Sequence, residues 1–169
     1  MAPSQPDKTD AYLILPVSAV GRIDVGRLLR EVESLDSFLA QAEVRQPGTA
    51  VKMPRTTKVL DDMLQMNNLN FLLPEDRTRL LHFLMEVYGK APVIHISFSA
   101  DPSPQFLLKL VTWLRQEIHP LLLLQVGMQP NMGAGCIVRT TNKYFDFSLR
   151  QRFYERRMIL AHRLKGFTA

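Results

Sequence analysis

The chain has 169 residues, enough for one full domain or two small ones. Hydrophobic residues make up 46% and charged residues 22%, a globular composition that excludes collagen, low-complexity chains and disorder throughout. One cysteine allows no internal disulfide and no Cys-rich zinc module, and no two of the four histidines stand at metal-ligand spacing. We therefore expect a protein of a reducing compartment with no metal and no other cofactor.

The basic side chains are concentrated near the C-terminus. Residues 139–169 hold eight basic and two acidic side chains, whereas the rest of the chain holds 13 basic and 14 acidic ones. This asymmetry indicates a surface for an anionic partner, either nucleic acid, acidic lipid headgroups or an acidic protein helix. No apolar run approaches the roughly 20 residues that span a bilayer, and residues 1–10 lack the apolar core of a secretory signal. We expect a cytoplasmic protein with a disordered tail over residues 1–10.

Residues 11–90 predict a mainly helical N-terminal domain. It opens with a short strand or an extended segment, residues 11–17, which Pro16 limits to the edge of a sheet. A long helix follows, with Asp24 as its expected N-cap. Its apolar stripe repeats every three or four residues and consists of Val25, Leu28, Val32, Leu35, Leu39 and Ala42.

Two shorter helices complete this domain. The first covers residues 56–66, with Thr56 or Thr57 as its cap. The second begins at Pro74, a residue favoured in the first helical turn, and is expected to end at Gly89 in a left-handed conformation. Its predicted buried face consists of Leu80, Leu81, Leu84, Val87 and Tyr88.

The pattern changes at about residue 91, where β-branched and aromatic residues become frequent. The predicted elements of residues 91–169 are strands at 92–98, 121–126, 136–140 and 144–147, a helix at 104–118 capped by Ser103, and a basic terminal helix from Ser148 to about residue 164. The sequence therefore predicts an α+β protein, in which a helical N-terminal half is followed by a small β-α-β-β-β-α domain.

Candidate catalytic residues are few. Cys136 is a possible nucleophile with His95 or His119 as its base, but a cysteine in a predicted strand is far more often a small core residue.

Gly133 and Gly135 resemble the start of a phosphate-binding loop. Such a loop opens onto a helix, whereas here a strand follows, so these glycines indicate a tight turn or bulge beside the strand. We expect no catalytic residue and no nucleotide site.

The terminal helix has two basic sides. At 100° per residue, Arg152 and Arg156 lie near each other, while Arg150 and Arg157 share a different face. These four arginines are the expected partner-binding residues. The aromatic residues interleaved with them would suit base stacking in a nucleic-acid complex and are Tyr144, Phe145, Phe147, Phe153 and Tyr154. A merely solvated helix and a docking surface for an acidic protein helix are the other interpretations.

Two residues before the terminal helix are assigned a structural role. Asp146 and Ser148 can accept from its first free backbone N–H groups and so fix the direction in which the helix leaves the hairpin. We expect the helix to pack on its own domain through Leu149, Phe153 and Leu160 while its arginines face a partner.

Three short motifs follow one another between residues 91 and 164. They are Ser-Ala-Asp-Pro after the first strand (99–102), Gly-Met-Gln-Pro and Met-Gly-Ala-Gly after the second (127–130 and 132–135), and Ile-Val-Arg, Lys143 and Asp-Phe-Ser-Leu-Arg along the hairpin (137–150). This series resembles the C-terminal domain of the F-type ATP synthase delta subunit, the homologue of the mitochondrial oligomycin-sensitivity-conferring protein. Two features depart from the family: Ala134 splits its glycine pair, and the N-terminal half predicts about three helices in place of a six-helix bundle.

The resemblance implies a stator protein on top of the catalytic head. In the family, the N-terminal domain grips N-terminal segments of the alpha subunits, and the C-terminal domain binds the ends of the peripheral-stalk helices. The family has no chemistry of its own. We therefore expect a non-catalytic subunit with no small-molecule substrate, held at the membrane through its complex. The alternative is a nucleic-acid-binding module that uses the arginine-rich helix.

Overall fold

The computed structural model describes residues 13–45 and 54–165, so the predicted tail over residues 1–10 lies outside the described residues. The elements, in chain order, are α1 (Arg22–Arg45), α2 (Lys58–Met66), α3 (Pro74–Lys90), β1 (Val93–Phe98), α4 (Pro104–Glu117), β2 (Leu123–Met128), a 3₁₀ turn (Pro130–Met132), β3 (Cys136–Arg139), β4 (Tyr144–Asp146) and α5 (Arg150–Lys165). Three helices thus precede a β-α-β-β-β-α arrangement, which confirms the predicted α+β fold. None of the described helices is long and apolar enough to cross a membrane.

The four described strands form one mixed sheet in the order β2-β1-β3-β4. Strands β1 and β2 are parallel and α4 connects them, because a parallel pair needs a crossover between its two strands. Strand β3 pairs antiparallel to β1 and forms a hairpin with β4, so β4 is an edge strand. Strand β2 begins two residues later than predicted, since a turn closed by Leu122 N–H and His119 O occupies the preceding residues.

The helical half has its own apolar core. The predicted stripe of α1 is buried at Val25, Leu28, Val32, Leu35 and Leu39. It packs with α2 and α3 residues Leu60, Met63, Leu80, Leu84 and Val87. The pattern of three- and four-residue spacings therefore identified the buried face of α1, and it did so because one helical face alone meets the other helices.

Two helix ends differ from the prediction. Helix α1 begins at Arg22, so Asp24 lies inside its first turn and is not the N-cap. The Asp24 carboxylate instead accepts from the Gly21 N–H at 3.0 Å, as the third residue of a capping box does. Helix α3 continues to Lys90, because Gly89 does not take the left-handed conformation that would end it there. The predicted caps Thr57 and Ser103 are confirmed, since their side chains accept from the third amide of α2 and α4.

Residues 11–17 were predicted as a short strand or an extended segment; the described part, residues 13–17, forms no strand, so the strand alternative is wrong there. Its backbone pairs with a side chain instead. Ile14 N–H donates to Asn67 Oδ1 at 2.6 Å, and Asn67 Nδ2 donates to Ile14 O at 2.9 Å. The Asn67 amide thus supplies the donor and acceptor that a neighbouring strand would have offered.

A second core lies between α4 and one face of the sheet. Its buried members are Ile94, Ile96, Val111, Leu114, Leu122 and Leu124. Leu123 points to the opposite face and belongs to the helical core, so β2 contributes to both. The sheet is therefore covered by α4 on one face and meets the helical half on the other.

Arg115 of α4 joins the segment before α1 to the sheet. Its guanidinium donates to Leu122 O at 3.0 Å, Leu15 O at 3.2 Å, Pro16 O at 2.9 Å and Ala19 O at 2.6 Å. Burial lowers the pKa of Arg115 to about 10, which leaves it charged at neutral pH. Since Leu15 belongs to the helical core and Leu122 to the sheet core, this one side chain connects the two halves of the chain.

Candidate functional site

The predicted motif residues meet where the terminal helix leaves the sheet. Gly133 and Gly135 both have positive φ, at +78° and +98°. A Cβ on Gly135 would lie 2.4 Å from Phe147 O and 2.9 Å from Ser148 Cα. A side chain at this position is therefore excluded by contact as well as by backbone conformation. The close approach lets the chain before β3 pass directly beneath the residues that lead into α5.

Backbone hydrogen bonds fix this crossing. Phe147 N–H donates to Cys136 O and Leu149 N–H donates to Ala134 O, both at 2.9 Å. Between these contacts, the Asp146 carboxylate accepts from Ser148 N–H at 2.8 Å. The hydroxyl and N–H of Ser148 lower the pKa of Asp146, so the carboxylate stays ionised. Asp146 and Ser148 thus order the turn that precedes α5.

Helix α5 does not pack on its own domain as predicted. Every described side chain of Arg150–Lys165 is exposed, including Phe153 at 57% and Ile159 at 59%. The side chain of Leu160, which was expected to pack, lies outside the described part of the helix. Leu149, Phe153 and Leu160 do lie within about 40° of one another around the helix, so their spacing is not the cause. Leu149, just before α5, is half-buried, but no part of the domain covers Phe153.

The four predicted partner-binding arginines occupy the two expected faces of α5. Arg152 and Arg156 share one face with Ile159 and Arg163. Arg150 and Arg157 lie on another face with Phe153 and Tyr154. The Arg157 guanidinium stacks over the Tyr154 ring at 4.1 Å from its centroid. Each face therefore combines positive charge with exposed apolar surface.

A second exposed apolar surface lies on the sheet beside α4. Phe145 and Phe147 of the β4 region are 43% and 60% exposed, and their rings stack with centroids 6.2 Å apart. Across the sheet, Phe147 follows Cys136 and Phe98 in one transverse row, and Phe98 contacts Phe106 of α4 edge-to-face at 5.9 Å.

The aromatic surface continues along α4. Phe106 and Trp113 are seven residues apart and so lie on the same face of the helix. Their exposed fractions are 47% and 55%. Phe106 and Trp113 thus form an exposed aromatic pair on α4, and Phe145 and Phe147 form another at the β4 edge of the sheet. The sequence indicated Phe145 and Phe147 as aromatic residues suited to stacking but gave no signal for the exposed pair on α4.

The structure separates the residues of the considered cysteine site. Cys136 lies on the α4 side of the sheet, and burial raises the pKa of its thiol, which disfavours the nucleophilic thiolate. His95 is exposed and points from β1 to the opposite face, since residues of odd and even number alternate along a strand. His119 precedes β2, at the end of the sheet away from Cys136, and accepts from Leu121 N–H. Neither histidine can take a proton from this thiol.

Among the described residues, no group of three or more His, Cys, Asp or Glu side chains is placed to hold a metal ion. No protein-family model matches the sequence, and no curated protein matches it.

Proposed function

We propose that this chain is a non-catalytic stator subunit of a rotary F-type ATP synthase, which couples the catalytic head to the peripheral stalk. The observation that carries the proposal is α5, a 16-residue helix whose described side chains are all exposed. Apolar side chains that remain exposed along a charged helix are typical of a surface that a partner covers. The helix leaves the sheet through the Gly135 and Asp146 motif, which is the stretch that resembles the delta subunit.

The chemistry of α5 favours an acidic helical partner. Three arginines and one acid, Glu155, line one face together with Ile159, so this face is net positive; the arginines are Arg152, Arg156 and Arg163. A stalk helix with an apolar stripe and flanking carboxylates would bury Ile159 and pair with these arginines. Such helix packing combines an apolar centre, which supplies most of the affinity, with charges that select the partner and its orientation.

The mechanism of this subunit is mechanical. It holds the stalk helices through its C-terminal domain and the N-terminal segments of the alpha subunits through its helical half, and the second contact rests on the family resemblance alone. Force between the two interfaces has to pass through the chain. The Arg115 contacts support this role, since they tie the segment before α1 to α4 and β2. The subunit acts on no small molecule, needs no cofactor, and lies at the cytoplasmic side of the membrane through its complex.

The test is a titration of the full chain with a synthetic C-terminal helix of the peripheral stalk from the same organism. Arg152→Glu combined with Arg156→Glu replaces two attractions by repulsions on an exposed face, so we expect binding to weaken about 10- to 100-fold. Arg55→Glu with Lys58→Glu is the matched control, because it makes the same charge change on exposed residues away from α5. Equal affinity of the two variants would contradict the proposal.

A nucleic-acid-binding module is the second candidate. It is favoured by the arginines and aromatic rings that α5 exposes side by side, such as Arg157 over Tyr154. Salt separates the two candidates. If five arginines neutralise phosphates of single-stranded RNA, the logarithm of affinity falls with the logarithm of salt at a slope of about −3.5. Tight RNA binding with that slope, together with no binding of the stalk helix, would establish the second candidate.

A further inference from the structure

We propose that the free edge of β2 is a docking site for an extended acidic segment of a partner protein, which adds a fifth strand to the four-stranded sheet beside α1. The inference goes beyond the stator function, because it concerns neither α5 nor the stalk helices that α5 is proposed to bind. Its starting point is the set of backbone groups that β2 turns away from the rest of the sheet.

Alternate residues of β2 direct their backbone groups to opposite sides. Leu123 N–H donates to Pro92 O at 2.9 Å, and past the end of the strand Gln129 N–H donates to Phe98 O at 2.8 Å. The odd-numbered residues therefore pair with β1, in agreement with the parallel register of the two strands. The even-numbered residues of β2 turn their N–H and C=O groups outward, to the free edge of the sheet.

A strand position beside this edge is already occupied at one end. Leu124 N–H donates outward to Val20 O at 2.9 Å, and the chain then turns away into α1. The next outward residues, Val126 and Met128, are 36% and 60% exposed, and their N–H and C=O groups have no described hydrogen-bond partner. These backbone groups are available to a further extended chain, as in strand addition at a sheet edge.

The β2 edge lacks the features that protect sheet edges from other chains. Strand β2 has six residues, Leu-Leu-Gln-Val-Gly-Met, with no charged side chain and no proline. The opposite edge is protected, since β4 has only three residues, follows Lys143 and ends at Asp146. The contrast indicates that a partner covers the β2 edge.

A cleft beside this edge gives an added strand room. The cleft has a volume of about 630 Å³ and lies between Val126 of β2, the first turns of α1 and Tyr88 of α3. Tyr88 is 41% exposed and Ile23 of α1 is 70% exposed, so part of the cleft wall is apolar. A side chain of the added strand that points into the cleft would cover this part.

The charges around the cleft select an acidic segment. Three arginines, Arg22, Arg27 and Arg30, line it together with one acid, Asp24. The Asp24 carboxylate accepts from Gly21 N–H at 3.0 Å and lies 4.0 Å from Arg27, so it is engaged within α1. No described acidic oxygen lies within 4.0 Å of Arg22 or Arg30. A carboxylate at the α1 end of the added strand would therefore meet two guanidinium groups that lack an acidic partner.

The neighbouring acids lie away from this position. Glu31 accepts from the N–H and the hydroxyl of Thr57 through its two carboxylate oxygens. Glu33 lies further along α1 and does not line the cleft, and Asp101 follows β1 beyond the opposite end of the strand pair. An acidic residue of the partner is thus expected at the α1 end of the edge.

A second copy of the chain fits the edge less well. Antiparallel pairing of two β2 edges centred on Val126 would place Met128 of one copy beside Leu124 of the other. Val20 already occupies that position, and Gly21 lies so close that a Cβ there would be 2.8 Å from Leu124 O. The free part of the edge therefore suits a separate extended segment.

The probe is a phage-displayed library of random short peptides, panned against the full chain. We expect the selected peptides to combine acidic residues with β-branched ones. The best peptide is synthesised with a fluorescent label and titrated by anisotropy. On its binding, amide exchange of Val126 and Met128 should slow about tenfold or more, whereas that of Leu124 should not change, because its N–H is already bonded.

Variants of the protein and of the peptide provide the second measurement. Arg22→Glu combined with Arg30→Glu should weaken binding about tenfold or more. Arg152→Glu with Arg156→Glu is the matched control, because it makes the same charge change on exposed residues of α5, and it should leave the affinity unchanged. N-methylation of one alternate set of peptide residues should abolish binding while the other set tolerates it, and this result needs no change to the protein.

The possible results decide the proposal. A panned library that yields no acidic peptide would overturn it, and so would selected peptides that leave the exchange of Val126 and Met128 unchanged. Protection of these two amides in the chain alone at raised concentration, with a dimer mass, would overturn it in favour of a second copy. Failure of the stator function is read separately, from the stalk-helix titration and its α5 variant, neither of which involves the β2 edge.

Discussion

Replacing Arg115 by methionine tests whether one side chain joins the two halves of the chain. Methionine retains most of the aliphatic length but removes all the donors. Pro16 O keeps the Ala19 N–H as a donor at 3.1 Å, whereas the carbonyls of Leu15, Ala19 and Leu122 lose the guanidinium. A buried acceptor that loses its donor costs about 1–3 kcal/mol.

The expected loss of unfolding free energy is about 3–4 kcal/mol, because water reaches part of the site and the buried charge is removed at the same time. With a urea dependence of about 2 kcal/mol per molar, the unfolding midpoint falls by about 1.5–2 M. Arg115→Lys keeps a charge, but one compact ammonium cannot reach carbonyls of two separate segments, so about half of the loss is expected.

Urea unfolding followed by circular dichroism measures this difference. Lys109→Met is the matched control, since Lys109 is exposed on the same helix and its replacement should change the free energy by less than about 0.5 kcal/mol. Amide exchange adds a local readout: Leu124 N–H donates to Val20 O at 2.9 Å and should exchange faster in Arg115→Met. If Arg115→Met is within 1 kcal/mol of the control and Leu124 exchange is unchanged, the four contacts do not hold the halves together.

Three other measurements test the region around β3 and α5. Gly135→Ala should lower the unfolding free energy by at least about 2 kcal/mol, because the added Cβ would clash with Phe147 O. In the control Gly89→Ala the added Cβ meets nothing within 4 Å, so the protein should be unchanged or stabilised by up to about 1 kcal/mol. Similar changes in unfolding free energy for the two variants would contradict the close approach at Gly135. The raised pKa of Cys136 leaves less thiolate at a given pH, so alkylation of Cys136 should require a higher pH than alkylation of a free thiol. In urea, where the chain is unfolded, the pH dependence of alkylation should become that of a free thiol. Because the pKa of Asp146 is lower in the folded protein, its stabilising contribution is present above the ordinary carboxyl pKa and is lost as pH falls through the pKa of the folded state. An NMR titration of the Asp146 carboxyl should show this lowered pKa, and Ser148→Ala should raise it.

Local patterns predicted most of the fold. The stripe of α1 and the caps Thr57 and Ser103 were correct because they depend on residues three or four apart. Errors occurred where distant residues decide the outcome. Ile14 pairs with the side chain of Asn67, 53 residues away, so the strand alternative for its segment was wrong.

The contacts of Arg115 and Arg77 were not predicted for the same reason. Arg115 contacts residues about 100 positions earlier, and its partners are backbone carbonyls, which every residue possesses. Arg77, the one buried charged residue among those described, likewise binds Asp36 and two carbonyls. No sequence pattern distinguishes these side chains from exposed arginines.

The candidate site was predicted in part. The positions of the four arginines on two faces followed from helical geometry, which depends only on spacing. The exposure of α5 did not, because the expected packing through Leu149, Phe153 and Leu160 required a matching surface on the domain. The exposure of Phe106 and Trp113 was not predicted either: Phe106 was expected on the buried face of α4, whereas both side chains are exposed.

Mass spectrometry of the intact ATP synthase from the source organism tests the stator function most directly. The complex is isolated through a tag on another subunit, with its peripheral stalk retained, and the protein composition is quantified. We expect this chain in the isolated complex, with cross-links from the α5 region to the stalk helices. A complete synthase, stalk included, that lacks this chain would contradict it.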